Sequence, residues 1–229
     1  MYWVNDKAYP SVTQILTIID KPALRYWFGK QVYEAMAVNP NLTEQEALAT
    51  PYKLRDSAKD RGTAVHDIVE AWENTGKVVG LEGPFKGYAQ AFQLWIDSNQ
   101  IKLVEHERTV ISEKYRFAGT LDLLVTINGF KLPTLIDIKT GKDLYPEVHL
   151  QLSAYEQALL ETGYEIDGKK LTTLEGTGAL LLMEDGTYKF EVGKDKFKEF
   201  LACKTIWEGL NEDLMAKADL PRQKELVEN

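Results

Sequence analysis

The chain has 229 residues, 44% hydrophobic and 27% charged, with only 16 Gly and 8 Pro; this composition excludes wholesale disorder and fibrous repeats and suffices for one domain with a sizeable core. Lys and Arg number 27 against 35 Asp and Glu, and the net charge of −8 argues against coating nucleic acid by bulk electrostatics while leaving room for a local basic groove. The single cysteine, Cys203, excludes an internal disulfide and points to a reducing cytoplasm, and no apolar run is long enough to span a bilayer or to read as an export leader.

After a short extended start, Ser11-Val12-Thr13-Gln14 has the spacing of a capping box, so a short helix is expected there. Pro22 suits a first helical turn, and Leu24, Trp27, Phe28, Val32 and Met36 predict a helix to about Val38. Thr43-Glu44-Gln45-Glu46 repeats the capping box and opens a helix expected to stop before Pro51. A longer helix is expected from about Tyr52 to Asn74, interrupted at Gly62 and ended by Gly76, with Ala64, Ile68, Ala71 and Trp72 as its buried stripe. Another runs from about Pro84 to Ser98, where Phe85, Tyr88, Ala89, Phe92, Trp95 and Ile96 read as core.

The texture then changes. Val104 to Ile111, Arg116 to Ile127 and Leu135 to Lys139 are rich in β-branched and aromatic residues, with Asn128-Gly129 as a turn, and read as an antiparallel meander. A helix follows from about Pro146 to Leu160, ended by Gly163. Strands near Gly178 to Met183 and Tyr188 to Val192 come next, then a last helix from about Lys194 to Ala216. This order predicts an α/β fold with a mixed central sheet flanked by helices and a helical N-terminal region. No composition break marks a linker, so residues 1–229 read as one domain: 1–100 mostly helical, 101–216 sheet-containing, and 217–229 a polar tail.

The stretch Leu135-Ile136-Asp137-Ile138-Lys139-Thr140-Gly141 places an acid and an amine two residues apart in an apolar strand, hence on one face. Such a pair is either a surface salt bridge on a strand edge or a pair held at the strand end to bind something. Gly119-Thr120-Leu121-Asp122 sets another acid in the strand expected to pair with it. Two carboxylates converging beside the Ile138 carbonyl would make a hard, oxygen-rich site suited to Mg²⁺ or Mn²⁺. With Lys139 orienting water or stabilising developing negative charge, the chemistry indicated is phosphodiester hydrolysis.

Here the sequence resembles the PD-(D/E)XK nuclease superfamily, and within it the RecB-type nuclease domain and phage exonucleases. Arg61-Gly62-Thr63-Ala64-Val65-His66 is similar to the upstream histidine motif, and Gly119-Thr120-Leu121-Asp122 to the first acidic motif. Ile136-Asp137-Ile138-Lys139-Thr140-Gly141 is similar to the D-x-K motif, and Gln151-Leu152-Ser153-Ala154-Tyr155 to the Q-x-x-x-Y motif. The resemblance implies a restriction-endonuclease-like core in which Asp122 and Asp137 hold the metal, His66 ligates it or stands beside it, and Lys139 serves the attacking water. Gln151 and Tyr155 would steady the site and the substrate strand, and their spacing of four puts both on one helix face. Glu107 is a further candidate for the metals, directly or through water, and Glu70, one turn after His66, reads either as orienting the imidazole or as a solvated helix glutamate.

One cysteine excludes the four-cysteine iron–sulfur cluster of some relatives, the lack of G-x-x-x-x-G-K-[ST] excludes a nucleotide cofactor of the P-loop kind, and no second histidine at zincin spacing follows His66. For substrate contact, Lys53, Arg55, Lys59 and Arg61 lead into His66, and Lys21, Arg25 and Lys30 with Tyr26 and Trp27 form a second basic and aromatic patch, or else a core of rings with solvated lysines. The expectation is a DNA exonuclease of recombination, repair or phage DNA metabolism in a bacterial or phage-infected cell, with no membrane role and with a recombination or single-strand-binding protein as a possible partner. A flap- or branch-cutting endonuclease of the same fold, or a catalytically silent nucleic-acid-binding module, are the alternatives.

Overall fold

The computed structural model describes residues 1–5 and 7–218, so the tail expected at the C-terminus lies, from residue 219, outside the described residues. The chain opens with a hairpin of β1 (Tyr2–Val4) and β2 (Lys7–Tyr9), followed by α1 (Val12–Ile15) and a 3-10 turn, Leu16–Ile18. The helical region holds α2 (Pro22–Val38), α3 (Glu44–Thr75) and α4 (Lys86–Asn99). Then come β3 (Lys102–Ser112), β4 (Phe117–Thr126), β5 (Thr134–Lys139) and α5 (Glu147–Glu161). A small hairpin, β6 (Glu165–Ile166) and β7 (Lys169–Lys170), precedes β8 (Gly176–Leu182), β9 (Tyr188–Val192), α6 (Phe197–Leu210) and α7 (Glu212–Ala218).

The central sheet has the order β3-β4-β5-β8-β9 and is mixed: β3, β4 and β5 form the antiparallel meander, β5 and β8 run parallel, and β9 returns antiparallel to β8. The parallel step needs a crossover, and α5 supplies it. This is the α/β architecture read from the sequence, a mixed sheet flanked by helices with a helical N-terminal region. On one face α1, α5 and α6 close over Val110, Phe117, Leu121, Leu124 and Leu135. On the other, α4 and the second half of α3 bring Trp72, Phe92 and Trp95 onto Leu123, Ile136, Ile138 and Leu180. The aromatics expected in α4 are core, Trp95 being 1% exposed and Phe92 fully enclosed.

Both capping boxes form as expected, at Ser11 and at Thr43. Several helix expectations fail, however. The helix opened by Thr43 does not stop before Pro51, nor does Gly62 interrupt it; the two segments are one helix of 32 residues. An interior proline removes one backbone hydrogen bond and crowds the preceding turn, a cost of ~3 kcal/mol. Packing against α2 offsets it: Pro51 is buried, Tyr52 meets Phe28 edge-on at 5.3 Å, and Phe28 meets Trp27 at 5.2 Å. The buried stripe of α3 is also turned from the expected one. Val65, Ile68, Val69 and Trp72 face the sheet, whereas Ala64 and Ala71 are half-buried, because the larger side chains gain more from the core. The last helix breaks at Asn211 into α6 and α7.

Replacing Pro51 with Ala would restore the amide that the Ala47 carbonyl lacks. The expected outcome in thermal or urea unfolding is a gain of about 1–2 kcal/mol, and a loss instead would show that the ring's burial outweighs the missing hydrogen bond.

Candidate active site

The site forms where β4 and β5 part. Their pairing runs from Val125–Thr134 to Leu123–Ile136 and ends there, so the next residues, Asp122 and Asp137, face each other across strands no longer laced together. On β5, Ile136 and Ile138 point into the α4 side of the sheet, and the alternation turns Asp137 and Lys139 toward α5. Asp137 is buried, at 1% exposure. Its Oδ1 accepts from Gln151 Nε2 at 2.8 Å, and its Oδ2 lies 2.6 Å from Lys139 Nζ, an ion pair without the alignment of a hydrogen bond. Lys139 Nζ also donates to Gln151 Oε1 at 3.4 Å.

Asp122 sits at a slip in its strand. Leu121 and Leu124 both pack on the α5 side while Leu123 and Val125 pack on the other, so the strict alternation is lost across Asp122. Its Oδ2 accepts the Ile138 N–H at 2.7 Å. Burial, then the neighbouring Asp137 charge, push its carboxyl up to about 7, against the opposing pull of Lys139 and the Ile138 N–H. For Lys139, burial alone would favour the neutral amine, but Asp137 and Asp122 outweigh it and hold the ammonium above its ordinary range.

Helix α5 supplies the third wall. Gln151 Nε2 donates to the Tyr155 hydroxyl at 3.2 Å as well as to Asp137, so one amide ties the acid, the lysine and the phenol together. Burial, then the Asp137 charge, push the Tyr155 hydroxyl well above its ordinary range, so it stays protonated. The ring reaches this depth because residue 119 has no side chain: a Cβ there would lie 2.3 Å from the Tyr155 ring. Two motifs far apart in sequence, Gly119 to Asp122 and Gln151 to Tyr155, are thus one packing unit. From the N-terminus, the Tyr2 hydroxyl meets Thr120 Oγ1 at 2.9 Å and pins the first hairpin beside it.

On the other side stands α3. His66 Nδ1 lies 3.0 Å from Glu107 Oε1. In register, Glu107 falls between the pairs His106–Leu123 and Arg108–Leu121, opposite Asp122. Glu107, Asp122 and Asp137 therefore form a row of acids across three strands. Of the two readings of Glu70, its exposure agrees with the solvated glutamate; the carboxylate beside the imidazole comes from β3. His106, which the sequence reading passed over, is next to this group, its ring 5% exposed and its Nδ1 3.1 Å from Glu73 Oε2. Alternation alone would have turned His106 away from Glu107, so only the observed backbone reveals it.

Arg61 is held at the same strand end, its Nε donating to the Thr140 carbonyl at 3.1 Å and its guanidinium 5.8 Å from the Tyr88 ring. It lines a cleft of about 350 Å³ with Tyr88, Thr140 and Lys142. A second cleft, of about 770 Å³, reaches Gln151 from the side of Lys21, Leu24 and Arg25. The basic residues of that second patch are already paired: Lys21 with Glu147 at 2.8 Å, Arg25 with Asp20 at 2.7 Å, and Lys30 with Glu34 at 3.5 Å. Trp27 is half-buried, whereas Tyr26 is 75% exposed. Lys53, Arg55 and Lys59 lie on the exposed side of α3.

No family model and no curated protein matches the chain. Among solved structures it is similar to a “Putative exonuclease” from Eubacterium rectale, with a TM-score of 0.45 and 13% identity over 98% of this chain and 87% of that one. The described residues contain no helix long and apolar enough to cross a membrane.

The residues fit a hard divalent cation. Asp137 Oδ2 is buried without an aligned donor, and two facing carboxylates leave negative charge that one ammonium does not cancel. Two measurements follow. Because the folded-state pKa of Asp122 is raised, its contribution to stability is full below its ordinary value of 3.8 and is lost as pH rises through about 7. In EDTA, Asp122→Asn should remove that loss and melt higher than the parent at pH 8, by about 1–3 kcal/mol or several degrees, with little difference at pH 4. Gly119→Ala should cost about 1–3 kcal/mol in unfolding experiments by driving the Tyr155 ring out of place.

Proposed function

We propose that this chain is a metal-dependent deoxyribonuclease, a single nuclease domain that hydrolyses phosphodiester bonds. The observation that carries the reading is the convergence of Asp122 and Asp137 from diverging strands with the Lys139 ammonium 2.6 Å from Asp137. Asp122, Asp137 and the Ile138 carbonyl would hold Mg²⁺ or Mn²⁺, with His66 at the edge of the site. Such an ion, when bound, supplies Lewis-acid polarisation of a phosphoryl oxygen and lowers the pKa of a coordinated water.

The chain's own groups do the rest. Lys139 keeps its proton and presents positive charge to an oxygen that gains negative charge in the transition state. Gln151 positions Asp137 and Lys139 through its two amide ends, and Tyr155 braces Gln151. Arg61, fixed to the Thr140 carbonyl, has its terminal nitrogens to offer a phosphate approaching the end of β5. Within this chemistry, exonuclease action on DNA ends in recombination, repair or phage DNA metabolism is the reading we favour, with clefts on both sides of the β5 end as the path for a strand.

End-labelled linear DNA and covalently closed circular DNA, each incubated with Mg²⁺ or Mn²⁺, test this. Digestion of the linear form alone is expected; nicking of circles would make the chain an endonuclease, and cutting that survives EDTA, or no cutting at all, would remove the proposal. Lys139→Ala should lower the rate at least about 100-fold in protein that circular dichroism shows to be folded, with some loss of stability because buried Asp137 loses its counter-charge.

A further inference from the structure

The two edges of the central sheet are built differently. A strand edge carries unpaired N–H and C=O groups, and natural edges are blunted by bulges, prolines or charge so that they do not pair with another chain. On the β3 edge the pairing with β4 shifts register between Leu103 and Glu105, and Glu107 has a left-handed backbone with φ of +47°, so the strand bends. The β9 edge has no such device. Its register with β8 runs unbroken from Tyr188–Leu182 to Val192–Gly178, it holds no proline, and no further strand lies beyond it among the described residues.

The hydrogen-bond phase of β9 fixes what this edge offers. The Met183 N–H bonds the Thr187 carbonyl at 3.0 Å and the Gly193 N–H bonds the Thr177 carbonyl at 2.7 Å, so in the antiparallel ladder Lys189 and Glu191 also turn their backbone groups to β8. Tyr188, Phe190 and Val192 therefore turn theirs outward. Their side chains lie on the α4 side, where the Tyr188 hydroxyl accepts from Asn99 Nδ2 at 3.4 Å, while Phe190 and Val192 are 39% and 67% exposed. A Cβ at Gly87 would meet the Glu184 carbonyl in the β8–β9 turn, and Leu94, two helical turns further on, is another exposed side chain on that stripe of α4. Lys189 and Glu191 point to the α5 side, Glu191 lying 3.0 Å from His149.

The β9 sequence, Tyr188-Lys189-Phe190-Glu191-Val192, complements itself when reversed. Antiparallel pairing of two copies about Phe190 sets Phe190 against Phe190, Tyr188 against Val192 and Lys189 against Glu191. The outward backbone groups then fall in the hydrogen-bonded pairs, and Lys189 and Glu191 in the non-hydrogen-bonded pairs, where side chains come closest. The neighbouring registers that keep this phase set Lys189 against Lys189 or Glu191 against Glu191, so charge selects the register centred on Phe190.

We propose that β9 is a homodimer interface, at which a second copy of this chain adds its own β9 antiparallel and joins the two sheets into one. The dyad is perpendicular to the sheet. Leu94, Phe190 and Val192 of the two copies are thus brought together on one face, and two Lys189–Glu191 ion pairs form on the other. The C-terminal ends of the two β5 strands point opposite ways, so neither copy contributes to the other's candidate site. The interface stands whether or not the chain cuts DNA, and its test reads mass rather than cleavage.

The mass of the full chain, measured by sedimentation equilibrium and light scattering over concentrations up to about 100 µM, tests this. A dimer is expected. Lys189→Glu, which sets like charges in both cross-strand pairs, should weaken it roughly 10–100-fold, and adding Glu191→Lys should restore most of the affinity. Val192→Pro removes an N–H that points away from β8, so it should leave the fold intact and weaken the dimer at least about 10-fold. A monomeric parent, the result expected if β9 instead receives a strand from another protein, would overturn the proposal. So would a dimer whose affinity is unchanged in folded Lys189→Glu or Val192→Pro protein; where the charge variants do not fold, Val192→Pro decides alone.

Discussion

Two carboxylates facing each other at the end of a sheet are a liability that the surrounding structure is arranged to contain. Asp137 is buried, Asp122 is raised to about 7 by burial and by Asp137, and the nearest ammonium is already engaged. Isolated charges in such a place would be neutralised or would unfold the strand end. The molecule keeps them by three local devices. The end of β4–β5 pairing frees the Ile138 N–H for Asp122, alternation along β5 brings Lys139 to the same side as Asp137, and Gln151 reaches across from α5 to bond both. Each device fixes a dipole or charge before any ligand arrives, which is what preorganised electrostatics requires.

These devices depend on packing farther out. Gln151 is in place because α5 lies flat on the sheet, with Leu152, Ala158 and Leu159 fully enclosed beneath it. Tyr155 can brace the amide only because Gly119 leaves a hollow for its ring. On the opposite face, the second half of α3 is held by Val65, Val69 and Trp72, and that anchorage carries His66 and Arg61 to the same strand end. The polar site is therefore a seam between two apolar cores, and a substitution in either core would reach it through one of these side chains.

Much of this was legible because the patterns concerned are local. Period two along β5 placed Asp137 and Lys139 together, a spacing of four placed Gln151 with Tyr155, and the capping boxes at Ser11 and Thr43 marked true helix starts. What the sequence withheld depends on tertiary contacts. Pro51 reads as a stop because its local cost is high, and only the packing of α2 against α3 shows why the helix continues. Glu107 was one acid among several until the register set it opposite Asp122. Helix spacing makes Glu70 visible in the sequence as one candidate partner for His66, whereas the left-handed backbone of Glu107 in β3 is not visible there. His106 was invisible for the same reason.

The charge distribution bears on how a chain of net charge −8 would meet a phosphodiester. Lys21 and Arg25, which line the larger cleft, and Lys30 farther along α2 are matched by acids within 4 Å, so little positive potential remains on that side. Lys139 stands instead against Asp137, which balances its charge locally, while Arg61 is held by the Thr140 carbonyl at the same strand end. Cations captured by the acid row would reverse that balance, converting the centre of the site from repelling to attracting phosphate. Affinity for a nucleic-acid backbone would then follow the metal rather than the protein's own surface charge, and binding and chemistry would share one requirement. An acidic protein would gain selectivity in this way, because without an ion the acid row would offer a phosphate chain little beyond repulsion.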